Sequence, residues 1–140
     1  MKDTLKQNAS TLLITLQVAA ALILIISFFL NWFRNPIFSA PGYNLPRLLE
    51  FISIPHPIDL FLTIVAFLIP VGGLAIIILT RINKSAAAIS MITGMLPIIL
   101  MVVLYFHHPF IPGQLATGSI MTLICAPVLL ICGALESPGN

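Results

Sequence analysis

Charge is what this chain most lacks. Lys, Arg, Asp and Glu make up 7% of its 140 residues and 59% are hydrophobic, whereas an ordinary soluble domain is about 25% charged. So little polar surface cannot clothe a water-facing globule, and lipid must be the solvent. The few charges also avoid particular places. Four stretches, 11–33, 58–80, 86–106 and 115–135, contain no Lys, Arg or Glu, and Asp59 stands only at the lip of the second. Ionisable residues at membrane depth are the usual mark of proton relays and ion pathways. Their absence argues against a proton-coupled exporter built around a membrane-embedded Glu. The net charge of +2 is small and dispersed, which excludes nucleic-acid binding through clustered Lys and Arg.

Other scarcities remove further chemistries. There are two cysteines, Cys125 and Cys132. A quinone-coupled thiol oxidoreductase needs cysteine pairs at the outer surface, including a C-x-x-C, and neither is here. The two are read as free thiols packing as small apolar side chains on one face of the last helix. No histidine falls inside a span, so haem would lack axial ligands. No nucleophile elbow, phosphate loop or paired carboxylate occurs, and Glu50 and Asp59 stand isolated. The expectation is a protein without enzymatic activity and without a cofactor.

What is present is apolar length. A hydrocarbon core roughly 30 Å thick needs about 20 helical residues to cross it, and each of the four stretches suffices. The expected fold is an all-α integral membrane protein, one domain over 1–140, with four antiparallel transmembrane helices and an outer loop over 34–57. The first stretch is too long for a signal-peptide core and no A-x-A site follows it, so it is read as an uncleaved helix. Lys2, Lys6, Arg81 and Lys84 share one side and Arg34 and Arg47 the other. The positive-inside rule then places both termini in the cytoplasm. Trp32, Phe33, Tyr43, Tyr105, Phe106 and Phe110 cluster at the outer boundary, where aromatic rings favour the headgroup level. Tight loops and the absence of a further domain point to a prokaryotic inner membrane.

The outer loop holds Pro36, Pro41, Pro46, Pro55 and Pro57. Leu45, Leu48, Leu49 and Ile52 fall at i, i+3, i+4 and i+7, one face of a helix. Asn44 serves as N-cap and Pro46 is tolerated in the first turn. This short amphipathic helix is expected to cover the helix ends or to dock a partner through those four residues. Asp59 in the first turn of the second span suits the helix dipole. The short links 81–85 and 107–114 make the second, third and fourth helices successive neighbours.

Lipid does not drive helices together as water does, and close packing at small residues takes over. Ala86, Ser90 and Gly94 form one stripe at four-residue spacing, and Gly118, Thr122 and Ala126 another. Both are expected at helix contacts, including contact with each other. Gln17 is expected to hydrogen-bond to a neighbouring helix. Pro70, Pro97 and Pro127 each stand inside a span, where proline removes a backbone hydrogen bond and kinks the helix. Prolines are frequent in membrane helices, which by itself accounts for the three. The alternative is a cavity or hinge at mid-membrane, any cavity lying between the second, third and fourth helices and lined by Gly72, Gly94 and Thr122. His56, His107 and His108, with Asp59 or Glu50, are weak candidates for a zinc site, which needs three or four ligands.

The layout is similar to four-helix membrane proteins of the claudin kind, with termini inside, a long first outer loop and a short second one. The claudin loop signature of Trp, Gly-Leu-Trp and two cysteines is absent. Trp32 and Gly42-Tyr43-Asn44-Leu45 stand there instead, with no loop cysteine, and no family is assigned. The function these features favour is a non-enzymatic accessory or assembly subunit. Its partners are the lipid bilayer and other membrane proteins or further copies of itself. A small oligomeric transporter or channel for a neutral or apolar solute is the alternative.

Overall fold

The computed structural model describes residues 1–34, 39–52, 56–108 and 115–136, the side chains of 51 and 52 apart. It contains α1 (Lys2–Phe29), β1 (Asn31–Arg34), β2 (Ser39–Pro41), a 3-10 turn (Gly42–Asn44), α2 (Leu45–Ile52), α3 (Pro57–Arg81), α4 (Ala87–His107) and α5 (Thr117–Glu136). Four of these helices, α1, α3, α4 and α5, are long and apolar enough to cross a membrane, as befits an integral membrane protein.

The helix limits follow from local chemistry. α1 starts at Lys2, well before residue 11, because 2–10 contain neither Gly nor Pro and Asp3 sits favourably in the first turn. It stops at Phe29 because the next residues find backbone partners elsewhere. Asn31–Arg34 pairs antiparallel with Ser39–Pro41, with an irregularity between Asn31 and Phe33. The amide of Ala116 also donates to the Trp32 carbonyl at 2.8 Å. The expected first span, 11–33, therefore carried a strand at its end, and the loop expected to hold one helix holds a ribbon as well.

α3 begins at a reciprocal cap. The Ile58 amide donates to Nδ1 of His56, and the His56 amide donates to Oδ2 of Asp59, each at 3.2 Å, with Pro57 in the first turn. Asp59 thus caps by hydrogen bond as well as by charge. The link from α3 to α4 turns on Asn83, at φ 56°, the left-handed region that Asn tolerates.

The long helices form a closed ring in which α1 touches α3 and α5, and α4 touches α3 and α5. Contacts between neighbouring helices run in opposite order along the two. Gly73 meets Ala21 and Ile25 while Phe67 meets Phe28. Gly94 meets Ala126 and Leu130 while Gly133 meets Ala87 and Met91. One end of the ring carries the ribbon and α2; the other carries the α3–α4 link and the last turn of α5. Leu24, Leu62, Ile69, Ile76, Leu100 and Leu129 are fully buried between the helices. Cys125 and Cys132 are free and buried on α5.

Candidate functional site

Among the described residues, the positions expected to line a space between the three prolines are in contact with neighbouring helices. α3, α4 and α5 run on through Pro70, Pro97 and Pro127, and the carbonyls of Ala66, Thr93 and Leu123, one turn earlier, lose their helical donors. Pro97 is buried, Pro70 half-buried and Pro127 exposed. The lining expected of a shared cavity is instead taken up in contacts. Gly72 lies against the Thr93 side chain, Gly94 against the Ala126 carbonyl, and Thr122 against Ser27 of α1. At these three residues the interior is filled. Prolines at equal depth point in different directions once each helix takes its own rotation.

The two small-residue stripes are divided among different neighbours. Ala86 is buried where α4 begins, and Ser90 is buried with no hydrogen-bond partner for its Oγ among the described residues. Gly94 and Ala126 do meet: a Cβ on Gly94 would stand 2.7 Å from the Ala126 carbonyl oxygen. Gly118 and Thr122 turn the other way, towards α1 and β1. A Cβ on Gly118 would stand 2.7 Å from the Trp32 ring and 2.8 Å from the Ser27 carbonyl oxygen.

That second contact anchors a polar seam. The Nε1–H of Trp32 donates to the Ser27 carbonyl at 2.8 Å. Ser119 Oγ donates to the carbonyls of Trp32 and Ala116, both at 2.8 Å. The hydroxyls of Ser27 and Thr122 lie 2.7 Å apart, and each also reaches a carbonyl of its own helix, Leu24 and Gly118. Two hydroxyl protons thus serve three contacts. Trp32 and Phe33 are 0% and 1% exposed, which corrects their placement in the aromatic belt. The strand turns them inward, whereas Tyr43, Tyr105 and Phe106 remain exposed. Phe110 lies outside the described residues.

The leucine face of α2 is also turned inward. Leu45, Leu48 and Leu49 are buried, while Arg47 and Glu50 are exposed. Those three leucines therefore cover the bundle rather than wait for a partner, because the protein's own α3 and ribbon supply the apolar surface they need. The side chain of Ile52 lies outside the described ones.

At this ribbon end Asp59 Oδ1 lies 3.1 Å from Nε2 of His108, joining the start of α3 to the end of α4. The rings of His56 and His107 are 6.3 Å apart. All three histidines thus gather near Asp59, but among the described residues no group of three or more His, Cys, Asp or Glu is arranged to hold a metal ion. His56 Nδ1 and both Asp59 oxygens are already engaged in hydrogen bonds. A crevice of about 290 Å³ opens beside them, walled by Leu49, Glu50, His56 and Asp59.

The other end holds a carboxylate that sequence reasoning passed over. Glu136 Oε2 accepts from Nε2 of Gln17 at 2.6 Å, and Oε1 accepts from the Ala86 amide at 3.1 Å. One side chain therefore ties α5 to α1 and caps the start of α4. Gln17 is 1% exposed, and its expected partner on a neighbouring helix is this Glu. Gln17→Leu is expected to cost about 2 kcal/mol, the worth of one hydrogen bond to a charged group. Thermal unfolding in detergent reads it, and an unchanged midpoint would remove the clasp from the account. The sequence signal was available: Glu136 is the one acidic residue close behind the last apolar run.

Comparison of the chain with protein-family models, with curated proteins and with solved structures finds no match.

Proposed function

We propose that this chain is a non-enzymatic accessory or assembly subunit that binds partner membrane proteins. It lies in a prokaryotic inner membrane, with the Glu136 end of the bundle towards the cytoplasm. The antiparallel four-helix body is the transmembrane part, and the ribbon with α2 is its outer cap. The observation that carries this reading is the use made of the interior. Glycines lie in backbone contact between helices, and buried hydroxyls and the Gln17 amide bond to their neighbours. Such a body is built to hold its shape, and what it offers to other molecules is its outside. Arg34, Arg47 and Glu50 form exposed charges on the cap, and Phe61, Phe67, Tyr105 and Phe106 stand out from the helix faces.

The experiment is purification of the chain in mild detergent, with its cap charges reversed by Arg47→Glu plus Glu50→Lys. The native protein is expected to bring down one membrane complex in fixed stoichiometry. The reversed form is expected to lose about tenfold or more of it, since opposed charges at a contact select against the wrong pairing, while its melting stays unchanged. Reversing surface charges is the better probe than Leu48→Glu with Leu49→Glu, which would bury two carboxylates. Solute flux through liposomes holding the pure protein, together with no stoichiometric partner, would replace this reading with that of a transporter or channel for a neutral or apolar solute.

A further inference from the structure

A crevice of about 310 Å³ opens at the Glu136 end, between α1, the α3–α4 link and the last turn of α5. Among the described residues its walls carry one anion and one cation, Glu136 and Lys84. These do not pair, and Lys84 makes no ion pair with any described residue. Gln17 lines the same space. Its Nε2 is given to Glu136, and its carboxamide oxygen has no partner among the described residues. Ser85 also faces the crevice; its Oγ accepts from the Ala87 amide at 3.3 Å, which leaves its O–H free to donate.

We propose that this crevice binds a zwitterion made of a primary ammonium and a phosphate, the headgroup chemistry of an aminophospholipid. The Glu136 carboxylate has accepted two hydrogen bonds and retains further lone pairs. With the Gln17 oxygen beside it, it presents acceptors to an –NH3⁺ group, whose three N–H bonds can use them. A quaternary ammonium has no N–H to give. On the α3–α4 link, the Lys84 ammonium and the Ser85 hydroxyl are donors for a phosphate. A ligand carrying both charges would bridge Glu136 and Lys84, which do not pair with each other although Glu136 already accepts from the nearby Ala86 amide. The crevice sits where α3 and α5 end and α4 begins, beside the middle of α1, which is the depth of lipid headgroups if α3, α4 and α5 span the bilayer. The inference rests on that spanning and is independent of any protein partner.

The test uses the purified full-length chain in detergent. Phosphatidylethanolamine, phosphatidylcholine with the same acyl chains, and water-soluble phosphoethanolamine are each titrated, with bound ligand counted by native mass spectrometry. The ethanolamine lipid is expected to bind about tenfold more tightly than the choline lipid, the factor for one charge-assisted hydrogen bond. Lys84→Ala, whose side chain takes no part in the Glu136 clasp, is expected to weaken it by about the same factor without changing the fold. Glu136→Gln should remove the preference for ethanolamine over choline. Binding of the lipid that soluble phosphoethanolamine does not displace marks a membrane lipid as the ligand; binding of the soluble compound alone marks a free metabolite. Equal binding of the two lipids, or no loss in Lys84→Ala, would overturn the proposal.

Discussion

Replacing Trp32 by Ala is expected to destabilise the protein by about 4 kcal/mol, the usual cost of removing a large buried aromatic side chain. The indole is fully buried where α1, β1 and the start of α5 converge. It packs edge-on against Phe28, with ring centroids 6.2 Å apart. Its removal also takes from the Ser27 carbonyl one of its two donors, leaving the Leu30 amide at 3.1 Å. Trp32→Phe keeps an aromatic ring beside Phe28 but loses the hydrogen bond, at about 1 kcal/mol, and the part of the packing that the larger indole supplies. Thermal unfolding in detergent, followed by circular dichroism, distinguishes the three proteins. The alternative is definite: a Trp lying in the headgroup belt could become Ala with little change in melting, and that result would return Trp32 to the lipid.

Gly94→Leu is expected to cost about 3 kcal/mol, at the upper end for overpacking. Leu130 and the Ala126 carbonyl stand within 3 Å of where the new Cβ would be. A backbone oxygen cannot swing aside as a side-chain tip can, so α4 and α5 would have to part. Separation matters more here than in water, because lipid offers no hydrophobic force to press the helices back together. Ala88→Leu, at an exposed position on the same helix, is the control and should leave melting unchanged. Equal melting of the two variants would mean that α4 and α5 do not meet at Gly94. Gly118→Leu tests a different junction, between α5 and the Trp32 corner, and its failure would leave the Gly94 argument standing.

How much of this was legible beforehand depends on how far each feature reaches along the chain. Three of the four spans were legible within a few residues because apolar length is a local property; the first, expected over 11–33, runs from Lys2 to Phe29. Pro57–Arg81 and Ala87–His107 differ from 58–80 and 86–106 only at their ends. The helix at 45–52 was legible for the same reason, from the spacing of Leu45, Leu48, Leu49 and Ile52. The ribbon was not, since Asn31–Arg34 and Ser39–Pro41 are each too short to announce a strand. Each becomes one only by finding the other, and β1 gains a further partner at Ala116, far along the chain.

The sequence by itself determined the solvent of this protein, the number and length of its apolar helices, and which residues were small enough to stand at their contacts. Those outcomes follow from composition and period, which need no knowledge of neighbours. Only the tertiary structure decided which neighbour each residue meets. It sent Gly94 to Ala126 but Gly118 to Trp32, and it turned the α2 leucines inward and their charged neighbours outward. It also brought Glu136 across to Gln17. The reason is physical: hydrophobicity acts on each residue alone, whereas a hydrogen bond or a close backbone contact requires two groups, and their meeting is set by how whole helices rotate and cross.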